Sequence, residues 1–95
     1  SDVDIGNNFL DYALISGNVK LIKFLLDSGF SLKDKNKYNK NSLQFVSESG
    51  NINAFNFVYE KNKEQLLQIT KFGQNILHFT SKSGNFELFK QITKL

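Results

Sequence analysis

The chain has 95 residues, of which 40% are hydrophobic, and its 12 lysines against 9 acidic residues give a net charge of +3. This length and hydrophobic content predict one small compact domain with a buried core and argue against a disordered chain. The mild positive charge permits an acidic partner without requiring nucleic acid, and the lack of cysteine excludes disulfides and thiolate metal sites.

The sequence carries no signal for a membrane or for secretion. No apolar run approaches the roughly 18 residues of a membrane span, and the N-terminus does not read as a signal peptide. We therefore expect no membrane partner and a cytoplasmic location, with a host cytosol as the alternative if the parent protein is a secreted effector. The sequence contains no methionine, so we expect a fragment of a longer protein or a processed chain.

The first third of the chain predicts a turn and two helices. Residues 1–7 are short and polar and read as a turn or the trailing half of a hairpin. Asn8 then caps a short helix over 9–15, because its side chain can accept a hydrogen bond from a free backbone N–H of the first turn. Gly17 ends this helix, and Asn18 caps a second, largely apolar helix over 19–28.

The middle third repeats this plan after a polar hairpin tip at 30–40. Asn41 caps a helix over 42–48, with Gln44 placed for a reciprocal capping box. A second helix follows over 52–61, and we expect Asn62 to end it in the left-handed conformation. The loop over 63–74 contains three apolar residues that we expect to form a helical turn against the stack: Leu66, Leu67 and Ile69.

The last third predicts helices over 76–82 and 86–94, and one pattern links all three parts. Ser-Gly-Asn occurs at 16–18, 49–51 and 83–85, so the glycines are 33 and 34 residues apart. A period of this length indicates stacked supersecondary units. We expect a single domain over 1–95, with units at about 8–40, 41–74 and 75–95.

Each unit resembles an ankyrin repeat. That family's pattern reads Asp-x-x-Gly-x-Thr-Pro-Leu-His-x-Ala, followed by a glycine and an apolar helix that ends in glycine. Residues 8–13, 41–46 and 75–80 stand where Thr-Pro-Leu-His-x-Ala would stand, and Gly6 and Gly73 match the turn glycine, which Asn39 replaces in the middle unit. The resemblance implies an all-α ankyrin-repeat solenoid of stacked antiparallel helix pairs with hairpin-like turns.

The units depart from this pattern at two positions. No unit has the proline, and only the third has the histidine, His78. Proline presets φ at the first helical position, and the family's histidine usually satisfies nearby backbone groups, so both losses predict lower stability. An asparagine at each cap compensates in part.

Catalytic and metal-binding patterns are not found. His78 is the only histidine and lacks a nucleophile or further ligands, so we predict a structural role. The segment 34–36 resembles the start of a calcium loop, but the sixth position is Asn39 rather than glycine and the twelfth is Phe45 rather than glutamate. We therefore predict no catalytic residue, no cofactor, no metal and no enzyme activity.

The hairpin tips carry the strongest binding signal. Tyr38 and Phe72 occupy equivalent positions, each flanked by lysines, which is typical of an aromatic anchor with a basic rim. The alternative is that the lysines only keep the chain soluble and the aromatics fold back onto the stack. By the resemblance, partners bind the tips and the exposed side of the first helix of each unit. The residues implied are Asp4, Ile5, Asn7, Ile15 and Ser16, then Lys35, Lys37, Tyr38, Lys40 and Glu48, then Lys71, Phe72, Gln74 and Lys82.

The function we predict is non-catalytic protein binding through the tips and the concave face, to a partner with an acidic or mixed surface. Two alternatives remain. The lysine-rich turns could bind nucleic acid or another polyanion, with the aromatics stacking on bases. No arginine and no nucleic-acid motif is present, so nucleic acid is the less favoured partner. The repeats could also pack within a larger parent, against further repeats or domains, in which case open apolar ends would cause self-association.

Overall fold

The computed structural model contains helices and no strand within its described part, which is the backbone of residues 2–95 and the side chains of residues 9–95. The all-α prediction is confirmed. None of these helices is both long and apolar enough to cross a membrane. In chain order the helices are α1 (Asp2–Ser16), α2 (Val19–Asp27), α3 (Ser42–Ser47), α4 (Ile52–Lys61), a 3-10 turn (Lys63–Gln65), α5 (Ile76–Ser83) and α6 (Phe86–Thr93).

The prediction for the first residues is wrong. Helix α1 begins at Asp2 and runs through Asn8, so residues 2–7 are helical and Asn8 does not begin the helix. No proline interrupts the segment, so the helix extends past the expected cap. The other five helices agree with their predicted bounds to within one residue.

Asparagine begins each of the later helices. Each of these side chains accepts a hydrogen bond from a backbone N–H of the first turn, which satisfies a donor that the helix itself leaves free. The predicted capping box at Asn41 is confirmed, because Gln44 also accepts from the Asn41 N–H at 2.9 Å. The capping residues are Asn18, Asn41, Asn51, Asn75 and Asn85.

The Ser-Gly-Asn corners join each first helix to the second and also join neighbouring pairs. All three glycines are left-handed, with φ of +69° at Gly17, +68° at Gly50 and +71° at Gly84. The Asn51 amide donates to the Gly17 carbonyl at 3.3 Å, and the Asn85 amide donates to the Gly50 carbonyl. One recurring hydrogen bond therefore fixes the spacing of successive helix pairs.

The pairs α1–α2, α3–α4 and α5–α6 stack in this order, with α3 between α1 and α5. One continuous cluster of buried apolar side chains extends from α1 to α6. Its largest fully buried members include Phe55 and Leu14, and Phe79 is buried to the same degree. Burying a side chain of this size contributes roughly 2–3 kcal/mol. No pair could shield these groups by itself, so the stack is the unit of stability.

Two predictions for residues 62–74 are wrong. The helical turn lies at Lys63–Gln65 rather than at the leucines, and Leu67 and Ile69 face solvent. Asn62 has φ of −140° and is not left-handed. The reason is that polar side chains hold this loop. Gln65 is buried, donates to the Leu32 carbonyl at 3.0 Å and accepts from the Leu43 N–H at 3.1 Å.

Candidate partner-binding site

The two hairpin tips, at 36–40 and 70–74, are built in the same way. At the first tip the Asn36 side chain accepts from the N–H groups of Tyr38 and Lys40, both at 2.9 Å. At the second tip the Thr70 hydroxyl accepts from the N–H groups of Phe72 and Gln74, both at 3.2 Å. Such side-chain bonds replace backbone bonds in tight turns. They fix the backbone on both sides of each aromatic residue.

The residue after each aromatic reverses the chain. Gly73 has φ of +73°, and Asn39 has φ of +62° and is the only non-glycine residue with positive φ in the described part. Asparagine tolerates this conformation better than other residues with a side chain. Asn39 therefore does in the first tip what glycine does in the second, as the sequence comparison of the tips predicts.

Tyr38 and Phe72 contact each other while remaining exposed. Their ring centroids are 5.4 Å apart and the ring planes are inclined by 37°. The backbone bridges the same two tips, because the Lys71 N–H donates to the Tyr38 carbonyl at 2.9 Å. Tyr38 is still 42% exposed and Phe72 70% exposed. The two rings therefore form one aromatic surface, which we call the tip pair, instead of folding into the core.

Lysines surround the tip pair. Lys35, Lys37 and Lys71 are exposed, and the Lys37 ammonium lies 5.2 Å from the centroid of the Tyr38 ring. A cation at this distance is attracted to the ring face. Asp34 is the one carboxylate within residues 33–40. The rim of the tip pair is therefore positively charged.

Glu48 forms ion pairs with Lys40, the last residue of the first tip, and with Lys82 of α5. The Lys40 ammonium is 2.9 Å from one Glu48 carboxylate oxygen, and Lys82 is 3.5 Å from the other. Lys40 also lies over the rings of Phe45 at 4.3 Å and Phe79 at 4.6 Å. The side chains of Lys40 and Glu48 are largely buried. Lys40 and Glu48 are thus largely withdrawn from solvent, and of the three only Lys82 reaches well into solvent.

The remaining predicted contact residues lie in the second tip and in α1. Gln74 is partly buried within its own tip, where its side-chain amide oxygen Oε1 accepts from the Thr70 hydroxyl at 3.4 Å. Ile15 and Ser16 are exposed near the first corner. The predicted contacts of Asp4, Ile5 and Asn7 concern side chains outside the described residues.

The carboxyl of Asp11 has a raised pKa. Asp11 lies half-buried on α1, and burial raises its pKa to about 6, against a smaller lowering by the charge of Lys40. Because burial disfavours the charged form, this carboxylate is less stable in the folded chain than in water. Lys33 and Glu64 form a separate, exposed ion pair at 2.7 Å, whose hydrogen bond lowers the pKa of Glu64.

His78 has the structural contact that was predicted for it. Its Nδ1 accepts from the Asn75 N–H at 3.0 Å and completes a capping box at the start of α5. Among the described residues, no group of three or more histidine, aspartate or glutamate side chains is placed to hold a metal ion.

Sequence reasoning singled out Tyr38 and Phe72 as equivalent tip residues, but it predicted neither their contact nor the groups that support it. Asn36 and Thr70 each stand two residues before an aromatic, and this repeated polar position was an available signal. The hydrogen bond from the Lys71 N–H to the Tyr38 carbonyl, by contrast, joins two backbone groups and depends on the spacing between helix pairs. No choice of side chain in the sequence could have indicated it. Nor did the eight-residue separation of Lys40 and Glu48 indicate an ion pair.

Comparison with known sequences decides the family. Residues 10–58 match a family described as Ankyrin repeats (many copies), which is just over half of the 95 residues. The chain belongs to the ankyrin-repeat family. Ankyrin repeats are generally protein-interaction modules and are generally non-catalytic. No curated protein matches this ankyrin sequence.

A solved structure shares the ankyrin fold of this chain. It is the complex of a predatory endopeptidase from Bdellovibrio bacteriovorus with an immunity protein. The TM-score is 0.75 at 18% sequence identity, and the match covers 90% of this chain and 45% of that chain. The present chain thus spans less than half the length of the solved chain, and at this identity the likeness shows the fold alone.

Proposed function

We propose that this ankyrin domain binds a protein partner through the tip pair and its lysine rim, and that the 95 residues act as one domain. The observation that carries the proposal is that Tyr38 and Phe72 contact each other and remain exposed. Aromatic residues dominate binding hot spots, because a rigid ring buries a large area at a low cost in conformational entropy. In this domain, hydrogen bonds within the two tips hold the backbone of Tyr38 and of Phe72 in place before a partner binds.

The rim sets the chemistry of the partner. Lys35, Lys37 and Lys71 carry positive charge around an apolar centre. Charges at the rim of an interface mainly raise the association rate and discriminate between partners. We therefore propose a partner that presents an apolar side chain flanked by aspartate or glutamate. Lys40 and Glu48 neutralise each other and contribute shape rather than charge.

A displayed peptide library selected against the intact chain tests this function. We expect the enriched peptides to combine an apolar anchor with acidic neighbours. Truncating one hot-spot residue costs about 2 kcal/mol or more, and about 1.4 kcal/mol is a factor of ten in affinity. The double variant Tyr38→Ala with Phe72→Ala should therefore bind an enriched peptide about 100-fold or more weakly.

A matched control removes two exposed phenylalanines from the second helices, Phe24→Ala with Phe86→Ala. Its affinity for the same peptide should equal that of the unmodified chain. The function is assigned wrongly if both double variants lose affinity equally or if neither loses any. A single-stranded oligonucleotide serves as a further probe. Tight binding to it that falls steeply with salt would favour polyanion binding instead.

A further inference from the structure

The loop between α4 and the second tip carries two apolar side chains in solvent. Leu67 is 88% exposed and Ile69 is 59% exposed, and both line the same cleft. We call these two residues the loop pair. Leu66, by contrast, packs against the core. The loop therefore turns one of its three apolar side chains inward and presents the other two on one surface.

The first unit has lysines at the equivalent positions. Asn36 and Thr70 hold the two tips through the same hydrogen bonds, so these two residues align. The residues three and one before Asn36 are Lys33 and Lys35, and the residues three and one before Thr70 are the loop pair. A loop of this fold forms with charged residues at both positions, so packing of the loop does not require the loop pair.

A following helix pair would leave these two positions largely in solvent. The first loop shows this, because the second helix pair follows it directly. Lys35 is exposed there, and the Lys33 side chain remains 61% exposed although its ammonium reaches Glu64 and the Lys61 carbonyl. The exposure of the loop pair therefore does not depend on where the sequence ends.

Buried amides hold the backbone of the loop pair in place. Gln68 lies between its two members, and the Gln44 amide donates to the Gln68 carbonyl at 2.9 Å. The Asn41 amide donates to the Gln68 side chain at 2.9 Å and to the Gln65 carbonyl at 3.2 Å. Asn41 and Gln44 are fully buried. Because the loop is fixed in advance, a partner that covers the loop pair loses little conformational entropy in ordering it.

Positive charge lies between the loop pair and the tip pair. Along the chain, Lys71 separates Ile69 from Phe72. Lys35 stands in the first unit where Ile69 stands in the second, and equivalent positions of neighbouring units lie side by side, as the tip pair shows. Both lysines are exposed. Two apolar surfaces are thus joined by two cations.

We propose that the partner carries a second apolar anchor, which seats on the loop pair while the first anchor covers the tip pair. Aspartate or glutamate between the two anchors then faces Lys35 and Lys71. Because both anchors belong to one partner, this second contact rests on the proposed function. The recognised motif is bipartite, with apolar residues at both ends and acidic residues between them. Two linked contacts bind more tightly than either alone, since the second forms at a high effective concentration.

The affinity for an enriched peptide from the displayed library measures the second contact. The loop-pair variant, Leu67→Gln with Ile69→Gln, keeps the net charge and changes only exposed side chains, so it should fold, which circular dichroism checks. It should bind the peptide about tenfold more weakly, a smaller loss than at the tip pair, because leucine is a rarer hot-spot residue than the aromatics. Leu95→Gln, which changes an exposed leucine of the same cleft two residues beyond α6, is the matched control and should bind normally.

A second measurement leaves the chain unmodified. Each apolar residue of the enriched peptide is replaced in turn by glutamine. One of the resulting peptides should lose about tenfold in affinity for the unmodified chain but nothing further for the loop-pair variant, because the same contact is already absent. The other peptide should show this relation to Tyr38→Ala with Phe72→Ala.

The outcomes separate the second contact from the proposed function. If the tip-pair variant loses affinity and the loop-pair variant binds normally, the second anchor is overturned and the proposed function stands. Equal losses in the loop-pair variant and in Leu95→Gln also overturn the second anchor, because the peptide then binds the end of the stack. If neither double variant loses affinity, or if only the loop-pair variant does, both the second anchor and the proposed function are overturned.

Discussion

The corner glycines provide a sharp test of how the helix pairs are held together. Gly17, Gly50 and Gly84 have nearly the same positive φ, so alanine carries the same backbone penalty at all three. What differs is the space next to each residue. A Cβ on Gly17 would lie 2.7 Å from the Asn51 Cβ, one on Gly50 would lie 3.1 Å from the Ser83 Cβ, and one on Gly84 would meet nothing.

The expected losses follow from these distances. An L-residue in the left-handed region costs about 1–2 kcal/mol, and forcing atoms into a packed contact adds roughly 1–3 kcal/mol. The Asn51 Cβ is attached directly to the backbone and cannot swing away. We therefore expect Gly84→Ala to cost about 1 kcal/mol, Gly50→Ala about 2 kcal/mol and Gly17→Ala about 3–4 kcal/mol. A domain of 95 residues has a total stability of roughly 5–14 kcal/mol.

Urea unfolding followed by circular dichroism measures these three losses. The slope of unfolding free energy against urea should stay the same in the three variants if the native stack is retained. The order of the losses matters more than their size, because the shared backbone penalty cancels in the differences. Equal losses at the three corners would refute the reasoning, since they would mean that φ alone sets the cost. A larger loss at Gly84 than at Gly17 would refute it as well.

Four further substitutions probe a half-buried carboxyl, two helix caps and a buried side chain that anchors a loop. Asp11→Asn should stabilise the chain by ~1 kcal/mol at pH 7 and not at pH 3.5. The folded pKa of about 6 exceeds the ordinary 3.8, so ionisation costs stability as the pH rises between these values, and partial exposure reduces the full cost. Urea unfolding at both pH values checks this, and an equal gain at both would contradict it. Asn85→Ala should cost about 2 kcal/mol of stability and Asn18→Ala about 1 kcal/mol. Both residues cap a helix, but only Asn85 also donates a hydrogen bond to the preceding helix pair. Thermal unfolding measures both losses, and a larger loss for Asn18→Ala would count against the corner bond. Gln65→Ala should cost ~2–3 kcal/mol and speed hydrogen exchange at the Leu43 amide, which loses its buried partner.

The repeat period and the caps could be read from the sequence because both depend on local chemistry. Asparagine before an apolar helix, and glycine where φ must be positive, each restrict the backbone within a few residues. Gly17, Gly50 and Gly84 therefore placed every corner correctly. The repeat period also gave Tyr38 and Phe72 equivalent positions, and equal positions in a stack lie side by side.

The errors arose where a distant contact decides the conformation. Leu66, Leu67 and Ile69 read as an apolar turn, but the loop is anchored by Gln65, whose partners lie 22 and 33 residues away. The left-handed prediction for Asn62 failed likewise, because its side chain points at the Leu32 carbonyl, 3.4 Å away. Such long-range hydrogen bonds cannot be read from a local sequence pattern, and they override the intrinsic conformational preference of the residues involved.

The complete burial of α3 restricts how this domain could acquire a new target. All six residues of Ser42–Ser47 are buried, so the middle of the stack presents no side chain of its first helix to the outside. Randomising that helix in a library would sample unfolded proteins rather than new specificities. Diversity introduced at positions 35, 37, 38, 71 and 72 would leave the interior intact, which makes the two tips the natural place to redirect the molecule.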